Sequence, residues 1–431
     1  MSLRSTIKKL IPAGLFLKVE PFGHLFETVF YNVINGFPAR NMKVIGVTGT
    51  SGKTSTSFLV ERMLHEAGFK VGIMTTVGYG IGTDIKPQTN TMTTVSVPIL
   101  MSRLKWMKAQ GVEWLVLETT SHALAQNRVW GIPYSLAVMT NVTHEHLDYH
   151  KTFENYLGAK RKLFKLVDKN SAGFQTGVIN VEDPSAELFA SDVQKHLFYG
   201  VGKGDLQANN LILKPSGSDF EAKIEGDTYK IHTNLPGSFN VSNSLAAIGV
   251  GRILGLSVYQ IEKGIAALES VEGRMTRVDV GQDFDVIVDF AHTPDSFEKI
   301  FKDIKPLAKG KLIVVFGSPG RRDESKRAVQ GELAGKYCDE VIVTEDDPRD
   351  VDPVEILNQI ASGAEKNGKI KNKDLFLVND RTEAIKLAIS RAQSSDTVLL
   401  LGKGHEKVIH RAHGDDPWNE VETAKQAILN K

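Results

Sequence analysis

From Lys43 onward the apolar residues repeat one order: a short β-branched run, a glycine turn, then a longer run with helical spacing. Lys43–Val47 reads as a buried strand, and Ser55–Ala67 as a helix with apolar positions at Phe58, Leu59, Met63 and Leu64. Trp114–Leu117 and Leu136–Met139 read as further strands with helical stretches between them. Strands alternating with helices predict a parallel sheet covered on both faces. Between Phe174 and Leu235 the texture changes. Gly177–Val181, Asp219–Ile224 and Thr228–His232 look like short strands with polar turns, which predicts an antiparallel annex, and Leu235-Pro236-Gly237 then leads into a helix from near Asn240. A second α/β unit begins at Gly273. Its five strand candidates, Val286–Asp289, Lys311–Phe316, Glu340–Thr344, Leu375–Val378 and Thr397–Leu401, suit one doubly wound, Rossmann-like domain. The expected organisation is α/β, with an N-terminal helical extension (1–42), a central domain (43–272) and a C-terminal domain (273–431).

The extension is apolar in patches between Ile11 and Phe30, but Lys18, Glu20, Pro21 and Glu27 interrupt it. A spanning helix needs about 20 largely uncharged residues, so no membrane span is expected. A small-residue cleavage site after a clean apolar core is also missing. The segment reads as an amphipathic helix packed on the body, with peripheral membrane contact as the alternative. Charge narrows the partners. The 431 residues carry 52 Lys plus Arg against 51 Asp plus Glu, which gives no basic field for nucleic acid. Cys338 is the single cysteine, so no intramolecular disulfide forms, and a reducing, cytoplasmic setting fits.

The sharpest local signal is Thr48-Gly49-Thr50-Ser51-Gly52-Lys53-Thr54-Ser55, directly between a strand and a helix. Glycines let backbone N–H groups converge on phosphate oxygens, and the helix N-terminus adds partial positive charge. Lys53 is placed to neutralise the β- and γ-phosphates of a nucleotide, and the Thr54 hydroxyl to reach a phosphate-bound Mg²⁺. The strict eight-residue pattern wants glycine where Val47 stands, so this is a variant P-loop. The central domain is therefore expected to be a P-loop ATPase domain binding ATP.

Glu118 ends a strand at the sheet edge where open α/β folds hold ligands, and suits Mg²⁺ either directly or through water. Capping the next helix is its structural alternative. The stretch His144-Glu145-His146-Leu147-Asp148-Tyr149-His150 raises a transition-metal site, although His144 and His146 are spaced by two and would not share a helical face. Lys160 reads by itself as a solvated helix lysine.

With these residues in view, the chain resembles the Mur ligase family, most closely its MurE type, the branch that adds the third amino acid to a UDP-N-acetylmuramoyl dipeptide. The likeness runs from Lys43 to the C-terminus, and the family's own ATP loop explains Val47. It implies an ATP-dependent amide ligase working through an acyl phosphate in peptidoglycan biosynthesis, with Lys53, Glu118, His146 and Lys160 as its catalytic set. Thr54, Glu118, His146 and a carbamylated Lys160 would hold Mg²⁺. Gly49, Thr50, Ser51, Gly52, Lys53, Thr54, Ser55, Asn240, Asn243, Arg274, Asp289 and His292 would contact ATP. Thr93, Thr94, Ser121 and Arg128 match acceptor-gripping positions. Arg322, Asp346, Asp347, Pro348, Arg349, Gly402 and Glu406 match positions that hold diaminopimelate. An arginine beside acidic groups fits a diamino acid, since Arg349 can fork onto a carboxylate and Glu406 can take an ammonium.

Three features depart from the family pattern. Asp347 stands where the diaminopimelate signature has Asn, which leaves meso-diaminopimelate and L-lysine both open. Ser318-Pro319 replaces a glycine-rich run. About forty residues precede the first strand, too few for the family's usual UDP-binding domain. The expected partners are therefore small molecules: a muramoyl dipeptide-like acceptor and a diamino acid. A ligase for a non-UDP envelope polymer or a polyglutamate-type acceptor, and an inactive nucleotide-binding scaffold, stand as alternatives.

Overall fold

Helix α1 (Ala13–Ile34) leads into strand β1 (Lys43–Thr48), which is buried from Val44 onward because it runs through the middle of a wide sheet. The computed structural model describes residues 13–88 and 92–431, with side chains from Val19, and the opening residues of the expected 1–42 extension lie outside that range. The chain forms two units. One comprises residues up to Leu211 with Asp219–His232 and Val241–Leu268, the other Ile212–Ser218, Thr233–Asn240 and Glu269–Lys431.

In the first unit β1 is followed by α2 (Lys53–Glu66), β2 (Val71–Met74), β3 (Gly78–Ile81), β4 (Asp84–Pro87), α3 (Val97–Ala109) and β5 (Trp114–Glu118). Then come α4 (Ser121–Ala125), β6 (Tyr134–Met139), α5 (Leu147–His150), α6 (Phe153–Lys169), β7 (Thr176–Asn180), α7 (Ala186–Ala190) and β8 (Lys195–Val201). Strands β9 (Leu206–Lys214), β10 (Gly217–Ile224) and β11 (Asp227–Thr233) precede α8 (Ser238–Ile253) and α9 (Val258–Ala266). The sheet order is β11-β10-β9-β8-β7-β6-β1-β5-β2-β3-β4. Strands β2, β5, β1, β6, β7 and β8 run parallel, and β3 and β4 are added antiparallel at one edge.

Two expectations are corrected here. Gly177–Val181 does not belong to an annex: its residues form β7, a buried parallel strand between β6 and β8. Gly177 belongs there because a Cβ would stand 2.5 Å from the Phe164 ring, so the residue that weakens the strand signal is the one the packing requires. Likewise, β10 and β11 continue the main sheet through β9. The following helix starts at Ser238, two residues before the expected point.

The second unit holds β12 (Thr276–Arg277), β13 (Asp285–Asp289), α10 (Pro294–Ile304), β14 (Leu312–Phe316), α11 (Ser325–Tyr337), β15 (Glu340–Val343) and α12 (Pro353–Lys366). It continues with β16 (Leu375–Leu377), α13 (Arg381–Arg391), β17 (Thr397–Leu401), the hairpin β18 (Val408–Arg411) and β19 (Gly414–Pro417), and α14 (Glu420–Leu429). The sheet order β12-β13-β17-β14-β15-β16 is parallel except at β12. Separate apolar clusters cover its faces, one around Phe297, Phe301 and Ile360 and the other around Ile385, Ile389 and Ile428. Because β17 lies between β13 and β14, the loops after β13, β14, β15 and β17 open at one edge, where doubly wound sheets bind ligands. Among the described residues no helix is long and apolar enough to cross a membrane.

Candidate active site

The turn between β1 and α2 takes its shape from two glycines. Gly49 has φ +155° and Gly52 φ +82°, both outside the region L side chains favour. A Cβ at Gly49 would fall 1.8 Å from Thr140 Oγ1, and one at Gly52 2.5 Å from Asn243 Oδ1. The strand end after β6 supports the turn from below. Thr50 N donates to Asn141 O (2.8 Å), Ser51 N to Asn141 Oδ1 (2.9 Å) and Thr140 Oγ1 to Ser51 O (2.6 Å). Thr56 Oγ1 donates to Asn243 Oδ1 at 3.2 Å, which ties the base of α2 to α8. Lys53 Nζ folds back onto Thr50 O at 2.7 Å. Ser55, the last residue of the expected ATP set on this turn, is buried in the first turn of α2.

Beside this turn stands Glu118. Strands β1 and β5 are parallel neighbours with Val47 opposite Glu118, so register alone brings the carboxylate to the start of the loop. Its Oε2 accepts from Thr54 Oγ1 and from Thr76 N, each at 3.0 Å, and its Oε1 lies 3.0 Å from Thr76 Oγ1. Thr76 Oγ1 is also 2.9 Å from Thr93 Oγ1. Helix α4 is capped by Thr120, whose side chain accepts from Ala123 N, so Glu118 is not that helix's cap. A buried carboxylate touching the hydroxyl that follows the loop lysine is an oxygen donor set of the kind Mg²⁺ takes.

The histidine-rich stretch divides. His144 stacks on Phe153, with ring centroids 4.8 Å apart, and is not part of the cluster. His146 adopts the left-handed conformation (φ 55°) as the residue before α5, and packs its ring 4.8 Å from His122 and 6.1 Å from Tyr156. His150 lies 5.3 Å from His122 and places Nε2 3.0 Å from Ser121 Oγ. His122 is the centre of this group, yet nothing in its own spacing singled it out. Burial first, then the nearby His146 and His150, lower the His122 imidazole to about 3; burial and His146 lower His150 to about 4. His122 and His150 pack as neutral imidazoles, and among the described residues the ligand atoms of this stretch do not gather into a common metal site. Among the described residues, the ligand atoms that do come together are those of Asp346, Asp347 and Glu406.

Lys160 overturns its solvated reading. Helix α6 buries Tyr156, Leu157, Ala159, Lys160, Leu163, Phe164 and Val167, so Lys160 sits within the apolar stripe. Its side chain is 2% exposed, and Nζ donates to Gly49 O at 2.5 Å and lies 4.5 Å from the Tyr156 ring centroid. Burial, followed by the charge of Lys53, holds its ammonium well below the usual lysine range. Tyr156, which the sequence reading missed, braces the same place through its hydroxyl 3.0 Å from Thr50 Oγ1.

The expected acceptor positions line the opposite flank. Thr94 Oγ1 donates to Glu118 O at 3.1 Å and lies 3.1 Å from Thr120 Oγ1. Arg128, buried, donates to Thr94 O and, at 3.0 Å, to Val95 O, so its guanidinium fixes the backbone after Thr93.

In the second unit, Asp346, Asp347, Gly402 and Glu406 gather around Lys403. Its buried ammonium lies 2.8 Å from Asp347 Oδ1, 3.6 Å from Asp346 Oδ1 and 2.6 Å from Glu406 Oε2. These carboxylates raise the Lys403 ammonium above its ordinary value against the opposing effect of burial. Lys403 belongs to Gly402-Lys403-Gly404-His405-Glu406, the segment the resemblance matches to the amino-acid site, but its pairing with Asp346 and Asp347 was not visible in the spacing. Pro348 leads into Arg349, which has φ 54° and donates to Gly320 O at 2.7 Å. Arg322 lies exposed on the loop after β14. A cleft of about 520 Å³ opens beside Pro348 and Arg349 and is also lined by Glu345, Asn379, Arg411 and His413. The other expected nucleotide contacts sit at and just after the end of β13 (Asp289, His292), before β12 (Arg274) and in the first turn of α8 (Asn240). Asp289, buried, accepts from Met275 N and Ala291 N at 2.7 Å each, and burial raises its carboxyl. His292 Nδ1 lies 2.8 Å from Phe290 O, Arg274 covers the Phe290 ring at 4.6 Å, and Asn240 Nδ2 donates to Pro236 O at 2.7 Å.

A phosphate-binding turn with a paired acidic strand end, followed by a doubly wound unit, defines the class of ATP-dependent ligases built on a P-loop domain. The Mur ligase middle domain matches residues 47–251, and the Mur ligase, glutamate ligase domain matches residues 273–404. The chain belongs to the Mur ligase family. A UDP-N-acetylmuramyl-tripeptide synthetase of Roseiflexus sp. (strain RS-1) is 40% identical over 408 residues, covering 91% of this chain and 80% of that protein. The UDP-N-acetylmuramoyl-L-alanyl-D-glutamate–2,6-diaminopimelate ligase 1 of Clostridium acetobutylicum is 36% identical over 404 residues, 93% of this chain and 80% of its own. Among solved structures, a UDP-N-acetylmuramoyl-L-alanyl-D-glutamate–2,6-diaminopimelate ligase is 28% identical with a TM-score of 0.65, covering 96% of this chain and 83% of that one. Mycobacterium tuberculosis folylpolyglutamate synthase, at 17% identity and TM-score 0.71 over 88% of this chain and 92% of its own, shares the fold.

Proposed function

We propose that this ligase joins a diamino acid to the free carboxylate of a UDP-N-acetylmuramoyl-L-alanyl-D-glutamate-like acceptor through an acyl phosphate. The observation that carries the reading is the Thr54–Glu118 contact of 3.0 Å at the mouth of the phosphate loop. It pairs the hydroxyl and the carboxylate that a nucleotide-bound Mg²⁺ would require. Glu118, Thr54 and His146 would hold that ion. When bound, Mg²⁺ withdraws charge from the phosphate oxygens.

The protein's own groups supply the rest. Loop N–H groups and Lys53 orient the γ-phosphoryl and offset the repulsion between two anions as the acceptor carboxylate approaches. The carboxylate oxygen bonds to phosphorus and ADP leaves. The amine of the incoming amino acid then attacks the acyl carbon, and phosphate departs with that same oxygen. Burial disfavours the Lys160 ammonium beside Gly49 O; the neutral amine is the form of lysine that can take up CO₂, and its carbamate would add a second anionic ligand beside Tyr156. Thr93, Thr94, Ser121 and Arg128 serve the acceptor. Asp346, Asp347, Arg349 and Glu406, with Lys403 between the acids, serve the amino acid.

Phosphate release tests the reading. With UDP-N-acetylmuramoyl-L-alanyl-D-glutamate, release should depend on meso-diaminopimelate or L-lysine and yield a tripeptide mass. Release that ignores both substrates would sink it in favour of a nucleotide-binding scaffold. Turnover only with an acceptor lacking UDP would move it to another polymer.

A further inference from the structure

Helix α1 presents two unlike faces. One face docks on the first unit: His24, Thr28 and Asn32 are buried, Asn32 Nδ2 donates to Trp130 O at 3.1 Å and Asn127 Nδ2 to Pro21 O at 3.3 Å. The other carries Phe22, Phe26, Phe30 and Val33, exposed at 72, 76, 52 and 60%. Their spacing of four, four and three residues sets them on one stripe, the arrangement of a helix that lies in an interface with its apolar side down. Ordinary folded surfaces scatter such side chains singly.

We infer that this stripe is a docking surface for an anionic lipid bilayer. Charge selects that occupant. Residues 1–43 hold six basic residues, Arg4, Lys8, Lys9, Lys18, Arg40 and Lys43, against two acidic ones, in a chain that balances 52 against 51 overall. The two acids are turned away from the stripe. Glu20 accepts from Tyr149 OH (3.3 Å) and Gln126 Nε2 (3.4 Å), and Glu27 pairs with His24 at 3.3 Å. Aromatic side chains to enter the acyl boundary and cations to meet headgroups are the two signals that together give stable peripheral binding.

The test is co-sedimentation of the full chain with vesicles of phosphatidylcholine alone and with about 30% phosphatidylglycerol, at low and high salt. Expected is at least about tenfold more protein bound to the anionic vesicles, reduced by salt and lost in F22S/F26S/F30S. Equal binding to both vesicle types, no binding, or binding unchanged in the triple variant overturns the inference. So does a self-associated chain that the triple variant converts to monomer without any vesicle binding, because a second copy would then be the occupant. The three phenylalanines are exposed, so circular dichroism of the variant should be unchanged, and the comparison between vesicle types needs no variant at all.

Discussion

Replacing Lys403 with Met removes one cation and leaves three acids facing one another. Asp346, Asp347 and Glu406 place ligand atoms within 4.8 Å of each other, and Lys403 Nζ is the ammonium among them. Breaking a buried ion pair by deleting one partner costs about 3–5 kcal/mol, because the remaining charge is buried without compensation. Asp346 and Asp347 are 7 and 9% exposed and bear that cost in full, whereas Glu406 keeps 35% of its side chain exposed and is screened. The lower end, about 3 kcal/mol, is therefore expected. For a unit of this size that lowers the melting midpoint by about 6–12 °C, readable by calorimetry. The variant's deficit must also depend on pH. In the native protein Lys403 is raised, so its stabilising share is complete below the ordinary lysine value and fades only as pH rises through the folded one. Without it the acids bind protons more tightly when folded, so the deficit should shrink as pH falls from 8 to 5. Asp347→Asn in the same background should recover part of the loss. A deficit below about 1 kcal/mol that does not move with pH would refute the reasoning.

Gly49→Ala should abolish nucleotide binding by calorimetry while leaving the fold intact, since its Cβ cannot coexist with Thr140 Oγ1; Gly52→Ala should weaken binding less, because Asn243 can turn aside. His122 and His150 are held low by burial, so the stability they allow is complete above about 6.5 and lost as pH falls toward their folded values near 3 and 4. Urea titrations at pH 7 and 4.5 should differ by on the order of 2 kcal/mol more in the native protein than in His122→Phe. Glu118→Gln keeps one oxygen to accept from Thr54 Oγ1 and Thr76 N, turns the other position into a donor toward Thr76 Oγ1 and removes the charge, and should lower kcat by about a hundredfold or more with a small change in melting midpoint. The native protein should show a ¹³C carbamate resonance under labelled CO₂, which Lys160→Met should lose together with turnover.

Much of the fold was legible because both units alternate strands with helices, and the five strands of the second fall where their β-branched runs lie. The annex failed for a physical reason: Gly177 makes room for Phe164, so a central strand looked like a turn-rich edge. The phosphate turn was readable because its glycines are demanded by backbone shape. Glu118 was readable as a strand-end acid, but its partner Thr76 came from an adjacent strand end. Lys160 illustrates the limit most clearly. Its position in the Tyr156–Leu163–Phe164 stripe was visible in the spacing, yet a lone helical lysine defaults to solvent, and only the resemblance singled it out. His122 escaped because it acquires its role from His146 and His150, far away in sequence.

The most direct measurement of the central claim follows one oxygen. With the acceptor's reacting carboxylate labelled with ¹⁸O and both substrates present, the released phosphate should carry one labelled oxygen per turnover, because that oxygen bridges carbon and phosphorus before it leaves. Label appearing in AMP would mean an adenylate, and unlabelled phosphate alongside product would mean that no acyl phosphate forms; either result contradicts the account.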